Sequence, residues 1–166
     1  MDGDAFYVLQ QLYGLFFAVA RLSQLNGPEV LALSYLKRLG KHLDGSRVLL
    51  LSDLAGRLVD AHCYRDPRNA DVAFKSLERK KFVLRTSIPA ATRAVLFESR
   101  RGKDKIVRLL TDGEKALNAF NEQFSPLFGI LNEIASRPSF VEDFNEAMQQ
   151  CLTRLPSVRR QQPSLF

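Results

Sequence analysis

The apolar residues of this chain recur mainly at helical spacing. Four helices are predicted over about residues 4–25, 28–39, 53–59 and 67–81, the last opening at Pro67 or Asn69. Two longer helices follow, from Thr111 and from about Ser139 to Leu155, and residues 40–46 are predicted to form a loop. Ser52 is the predicted N-cap of the third helix, and Thr111 with Glu114 fits a capping box. The pattern predicts a mostly helical domain.

Alternating apolar residues predict a few short strands between the fourth and fifth helices. The candidates are 82–87, 93–99 and 105–110, of which the last two are predicted to pair across the turn at residues 100–104. Residues 48–51 form either a short strand or the lead into the third helix. A helix pair followed by a hairpin is typical of an α+β, mostly α, winged helix-turn-helix.

The first predicted helix is apolar almost all the way round, which is wider than one core-facing stripe. A second subunit would supply the missing cover, so we expect a homodimer. The organisation predicted is a single winged-helix domain over 1–155, with dimerisation helices at about 4–25 and 112–155. Residues 48–111 form its DNA-binding module, and 156–166 are a flexible tail.

The net charge of +6 is concentrated in one stretch of the chain. Eleven Lys and Arg and three acidic residues lie between Lys75 and Arg108, a local charge of +8. A basic patch on a near-neutral body is typical of a protein that binds a polyanion. The alternative interpretation is a solvated basic face without a partner.

The fourth helix is predicted to be the recognition helix. Ala70, Ala73, Phe74 and Leu77 share one face that can pack on the preceding helix. We expect bases of duplex DNA to be contacted from the N-terminal half of the other face, because that half of a recognition helix enters the major groove. The predicted base contacts are Arg68, Asn69, Val72 and Lys75, and Arg79 is predicted to contact phosphate.

The hairpin tip is predicted to be the wing, which reaches a minor groove or the flanking phosphates. Its predicted DNA-binding residues are Arg100, Arg101, Lys103 and Lys105. A solvated turn without a partner is the alternative.

Three short motifs of this sequence resemble motifs of the multiple-antibiotic-resistance regulator (MarR) family and occur in the same order. They are Leu54-Ala55-Gly56-Arg57-Leu58, Ser76-Leu77-Glu78-Arg79-Lys80-Lys81-Phe82-Val83 and Arg108-Leu109-Leu110-Thr111-Asp112-Gly113-Glu114. Phe82 stands where the family has glycine, and Gly113 comes one position early. The resemblance implies a homodimeric repressor that binds pseudo-palindromic DNA and releases it when a small, often aromatic, ligand binds. Because the N-terminal residues lack the pattern of a signal peptide, we expect a cytoplasmic, bacterial protein. His42, Arg47 and Tyr13 are candidates to line its pocket.

The C-terminus suggests another function, a replication or repair adaptor. Gln162-Pro163-Ser164-Leu165-Phe166 resembles the pentapeptide that binds the bacterial sliding clamp, with Gln162, Leu165 and Phe166 as its contacts. An inert tail is the other interpretation.

Other classes of function have little support in the sequence. No glycine loop for phosphate, no paired carboxylates and no nucleophile with a base is present, so we expect no enzyme and no cofactor. His62 and Cys63 lack the spacing of a metal site, and a structural thiol is favoured over a redox switch. The polar residues within 5–25 argue against a membrane span.

Overall fold

A computed structural model describes residues 2–97 and 105–154 of the protein. The chain divides into two compact units, Met1–Phe124 and Ser125–Phe166. The helices are α1 (Asp2–Leu22), α2 (Gly27–Leu39), α3 (Leu51–Asp60), α4 (Asp71–Arg79), α5 (Ala90–Phe97), α6 (Thr111–Ala135) and α7 (Phe140–Arg154). The strands are β1 (Lys41–Leu43), β2 (Ser46–Leu50), β3 (Val83–Thr86) and β4 (Ile106–Leu109). The mostly helical α+β winged-helix class is confirmed.

The four strands form one antiparallel sheet in the order β1-β2-β4-β3. Strand β4 pairs on one side with β2, Leu49 opposite Val107, and on the other with β3, Arg85 opposite Val107. Because β4 is central, its Ile106 and Val107 are fully buried. Ile106 packs with Val48 and Leu50 in one apolar cluster. The sheet thereby ties the segment after α2 to the segment after α4.

Two of the strand predictions were wrong. Residues 40–46, predicted as a loop, form the β1–β2 hairpin, because Asp44 and Gly45 both adopt the left-handed conformation that a tight turn requires. Residues 93–97 of the predicted strand 93–99 belong to helix α5, so β4 pairs with β3 and not with that segment. Ala-Ala at the start of α5 favours a helix over a strand.

The core of the first unit is formed by one apolar face from each helix packed against the sheet. It includes Leu33 and Leu36 of α2, Leu54 and Leu58 of α3, and Leu117 and Phe120 of α6. The ring of Phe16 in α1 packs edge-on against Phe120 and Phe124, with ring centroids 5.5 and 6.0 Å apart. In the described residues, every helix is too short or too polar to cross a bilayer.

Two predicted N-caps were wrong. Helix α3 begins at Leu51 with Leu50 at its N-cap position, so Ser52 lies inside its first turn. Helix α6 begins at Thr111 as predicted, but the Glu114 amide donates to the carbonyl of Leu110, so Leu110 and not Thr111 accepts the first helical bond. Helix α6 is continuous through Pro126.

Gly113 allows the first turn of α6 to approach the backbone that follows α4. A Cβ at this position would lie 2.3 Å from the carbonyl oxygen of Phe82. The same carbonyl accepts a hydrogen bond from the Leu110 amide at 3.0 Å. The glycine of the third motif therefore has a packing function, because no side chain fits between α6 and Phe82.

We predict that Gly113→Ala lowers the free energy of unfolding by about 1–3 kcal/mol, because the added methyl group must displace backbone. The matched control is Gly56→Ala in α3, where a Cβ would meet nothing within 4 Å. It should instead raise stability by about 0.5–1 kcal/mol, since glycine is unfavourable inside a helix. Urea unfolding of both variants checks this. Equal effects would contradict the packing argument.

Candidate nucleic-acid interface

Helix α4, the predicted recognition helix, packs on the body of the protein through the face that the sequence predicted. Ala73, Phe74 and Leu77 of α4 are buried, as is Ala70 in the turn before it. The opposite face is exposed: 67% of the surface of Val72 is accessible, and Lys75 and Arg79 are also exposed. Val72, Lys75 and Arg79 line one shallow groove together with Glu78. An exposed valine between cations is the chemistry expected of a helix that meets base edges and phosphates.

Arg68 and Asn69 lie before α4 and not within it. A short 3₁₀ turn, Pro67–Ala70, precedes the helix, and the Asp66 carboxylate accepts a hydrogen bond from the Arg68 amide at 2.8 Å. Both side chains are exposed. The predicted helix therefore starts as a tighter turn, and Arg68 and Asn69 are presented from its N-terminal end.

The wing is formed by β3 and β4. Of its predicted DNA-binding residues, Lys105 is exposed immediately before β4. Hydrogen bonds from Arg85 are the main cause of the lowered pKa of Glu78, and the charge of Lys105 contributes to it. Arg100, Arg101 and Lys103 lie outside the described residues. The described part of the wing thus brings one predicted cation close to the recognition helix.

A buried ion pair fixes the C-terminal end of the recognition helix. Glu29 at the start of α2 is completely buried, and Lys80 at the end of α4 donates to its two carboxylate oxygens at 2.8 and 2.7 Å. Lys80 Nζ also donates to the carbonyl oxygen of Gln24, just after α1, at 2.7 Å. One ammonium group therefore connects the ends of three helices.

Glu29 also closes the N-terminus of α2. It accepts a hydrogen bond from the Asn26 amide at 2.8 Å, while the Asn26 side chain accepts one from the Glu29 amide at 3.0 Å. This reciprocal arrangement is a capping box. A buried carboxylate is tolerated only when it is paired and hydrogen-bonded, and Glu29 meets both conditions. The sequence signal was Asn26 followed three residues later by Glu29, and the sequence analysis missed it.

The recognition helix ends in a turn that requires one left-handed residue. The Phe82 amide donates to the carbonyl of Leu77, and the Lys81 amide donates to that of Glu78, both at 2.9 Å. This is a Schellman motif, with Lys81 at the left-handed position (φ 60°). The residue that adopts the conformation favoured by glycine is therefore Lys81, and not Phe82 as the sequence comparison suggested.

Arg85 of β3 joins the wing to the recognition helix. Its Nε and Nη2 donate to Glu78 Oε2 at 2.8 and 2.6 Å, its backbone amide donates to Glu78 Oε1 at 3.0 Å, and its Nη1 donates to Asp71. Lys75 also pairs with Asp71, at 2.7 Å. Hydrogen bonds from Lys75 and Arg85 hold the pKa of Asp71 below its usual value, and Arg85 does the same for Glu78.

Several cations of the basic stretch are therefore occupied within the protein. Besides Lys80 and Arg85, Arg108 donates to the Leu43 carbonyl at 3.0 Å and lies 3.5 Å from Asp44. Arg93 is buried and donates to the carbonyl of Ile88 at 2.9 Å. The local charge of +8 consequently overstates the charge available to a ligand.

The thiol of Cys63 is half-buried in the turn after α3. Burial raises its pKa, which lowers the fraction of reactive thiolate. The neighbouring His62 adopts a left-handed conformation that ends α3. Among the described residues, no group of three or more His, Cys, Asp or Glu is placed to hold a metal ion.

Two of the three residues predicted to line a ligand pocket do line one cavity. His42 and Arg47 face a cavity of about 380 Å³ between the β1–β2 hairpin and the start of α6, together with Lys37 and Glu114. Tyr13 is not in its lining. Binding of a small aromatic ligand there stays a prediction.

Solved structures share this arrangement of helices and wing. YusO from Bacillus subtilis is 12% identical, over 91% of this chain and 92% of that one, with a TM-score of 0.56. A mutant of S. aureus MepR bound to an oligodeoxyribonucleotide is 21% identical, over 92% and 94%, with a TM-score of 0.55. NadR in complex with 4-hydroxyphenylacetate is 15% identical, over 90% and 92%, with a TM-score of 0.55.

The chain has the MarR-type winged-helix fold. The resemblance predicted from the three motifs is thus confirmed at the level of the fold. No protein-family model and no curated protein matches the sequence. The packing explains why the motifs occur in this fold: Glu78 and Lys80 anchor the end of α4, and the Arg57 guanidinium of α3 lies 6.0 Å from the ring centre of Tyr35.

We predict that Glu29→Gln lowers the free energy of unfolding by about 1–3 kcal/mol, because Lys80 loses its charged partner inside the protein. The control is Glu114→Gln, which removes the exposed partner of Lys37 (3.3 Å apart) and should cost less than about 1 kcal/mol. Denaturant unfolding at neutral pH measures both. A smaller loss for Glu29→Gln than for Glu114→Gln would contradict the assignment of the buried pair.

The lowered pKa values of Asp71 and Glu78 predict a loss of stability in acid. A depressed native pKa contributes stability that is present above the unfolded-state pKa and is lost as the pH falls through the native pKa. Glu78→Gln should therefore destabilise the protein more at pH 7 than at about pH 3, because this stabilisation is lost progressively as the pH falls toward the lowered pKa of Glu78. Urea unfolding at both pH values tests this, with the exposed Glu133→Gln as control. A penalty that does not shrink in acid would contradict the prediction.

Proposed function

We propose that this protein is a homodimeric transcriptional regulator, a repressor of the MarR type, that binds a specific sequence of duplex DNA in the bacterial cytoplasm. The observation that carries the proposal is the exposed face of α4. It presents Val72, Lys75 and Arg79 on a helix whose other face is buried and whose end is fixed by Lys80. The winged-helix fold supports the same function.

Each exposed side chain of this face has a matching group on DNA. A valine methyl packs against the methyl group of thymine, a lysine donates to guanine, and arginine contacts phosphate. Arg68 and Asn69 precede α4, and side chains there suit guanine and adenine in the major groove. Lys105, with Arg100, Arg101 and Lys103 of the wing, would add phosphate or minor-groove contacts.

A second copy of the chain would account for the apolar surface of the first helix. Large apolar side chains of α1 are exposed along its length: Tyr7, Val8, Leu9, Tyr13, Leu15, Phe17 and Leu22. Helix α7 separately exposes Phe140, Val141, Phe144 and Met148. Apolar surface of this extent marks an interface. A twofold dimer would present two recognition helices to a pseudo-palindrome.

Selection from a pool of random duplex DNA tests the proposal, with sequencing of the bound fraction at two salt concentrations. We expect one enriched inverted repeat and an affinity that falls steeply with salt, because phosphate contacts release counterions. Salt-sensitive binding without an enriched sequence would contradict a specific regulator. No binding at all would also contradict the proposal and would favour a protein partner that binds the C-terminal tail.

Variants of α4 separate the two kinds of contact. Arg79→Gln should weaken binding to all sequences and reduce the slope of log affinity against log salt by about 2, because each subunit of the dimer loses one phosphate contact. Lys75→Gln should change the enriched sequence at one position in each half-site. The control is Lys115→Gln in α6, an exposed lysine 3.9 Å from Asp112, which should change neither. If both α4 variants bind as the wild type does, α4 is not the recognition helix.

A further inference from the structure

Two carboxylates lie on the face of α4 that would approach DNA. Asp71 precedes Lys75 by one turn and Glu78 follows it by one turn, so all three side chains share a face. About 39% of the Asp71 side chain and 28% of the Glu78 side chain are accessible to solvent. Glu78 also lines the groove formed by Val72, Lys75 and Arg79. The face proposed to read DNA is therefore acidic along one edge.

Acidic groups on that edge oppose binding to a polyanion. Like charges repel over about one Debye length, about 8–10 Å at physiological salt, which is within reach of a helix seated in a groove. Uncompensated Asp71 and Glu78 would lower the affinity that Lys75 and Arg79 provide. A cation of the protein that stays beside them when DNA arrives would reduce this repulsion.

Arg85 is placed to pair with both carboxylates from behind the helix, where its single positive charge offsets one of their two negative charges. It holds Glu78 through three hydrogen bonds and Asp71 through another. Only 18% of its side chain is accessible, because it comes from β3 and lies between the wing and α4. Its position suits pairing with the two carboxylates better than direct contact with phosphate.

Lys75 occupies a different position with respect to Asp71. Its ammonium group is 2.7 Å from the carboxylate, but 64% of the lysine side chain is accessible. Because Arg85 also binds Asp71, the lysine can move to a phosphate or a base without leaving the carboxylate unpaired. Arg85 thereby reduces the electrostatic cost of releasing Lys75.

We propose that Arg85 is a positioning residue of the DNA-binding surface: it pairs with Asp71 and Glu78 and offsets part of their charge, so that α4 can lie against phosphates and Lys75 can exchange Asp71 for DNA. This inference rests on the proposed function. It assigns to a residue of the wing strand an effect on the recognition helix that requires no contact between Arg85 and DNA.

The test compares DNA binding by three variants with that of the wild type, using the enriched duplex. Arg85→Gln exposes the two carboxylates and should weaken binding by about tenfold to a hundredfold at low salt. The triple variant Asp71→Asn/Glu78→Gln/Arg85→Gln lacks the same ion pairs but carries no exposed acid. It should bind within about threefold of the wild type. Lys37→Gln, which removes a paired cation of α2, is the charge-matched control and should leave binding unchanged.

Salt dependence provides a second readout. The deficit of Arg85→Gln should shrink as salt rises from about 0.05 to about 0.3 M, because repulsion by exposed carboxylates is screened. All titrations are made at a temperature at which circular dichroism shows each variant to be folded. If the triple variant binds as weakly as Arg85→Gln, Arg85 acts through structure or direct contact, and the inference is overturned.

Failure of this inference differs from failure of the proposed function. If wild-type protein binds no duplex, the proposed function fails and this inference fails with it. If the wild type binds a specific duplex but the triple variant does not recover, only the inference about Arg85 fails. Recovery by the triple variant supports both.

Discussion

The placement of α4 depends on one ion pair inside the protein, between Glu29 and Lys80. The pair is central in position, because its ammonium group also binds the Gln24 carbonyl after α1. The ends of α1 and α4 and the start of α2 thus converge on one completely buried carboxylate. A buried charge without this partner would be very unfavourable, so the pairing restricts how α4 can be placed. The proposed DNA contacts depend on that placement.

The positive charge available to a ligand depends on which cations are already paired with acidic groups of the protein. Lys80, Arg85 and Arg108 lie in the basic stretch, but each is bound to an acidic partner of the protein. The exposed cations of α4 are fewer than the basic stretch suggests, and acidic side chains lie among them. Specific recognition in this account therefore comes from a small set of side chains on a rigid support and not from an excess of positive charge.

The sequence predicted the apolar side of this fold well. Burial of Ala70, Ala73, Phe74 and Leu77 followed from helical spacing, and the order of the motifs indicated the winged helix. It failed where a short segment had two interpretations: the apolar residues of 93–97 suit a strand, but the two alanines that open α5 and the packing of Phe97 on the sheet favour a helix. Partners distant in sequence were also not predictable. Glu29 and Lys80 are 51 residues apart, and no local pattern shows that they meet.

Mapping the DNA-bound surface by NMR tests most directly whether α4 contacts DNA, with valine methyl groups followed during titration with the enriched duplex. We expect large shifts for the exposed Val72 of α4 and little change for the buried Val48 of β2. Saturation at one duplex per dimer should accompany them. Shifts confined to residues outside α4 and the wing, with Val72 unchanged at saturation, would contradict the claim that this helix reads DNA.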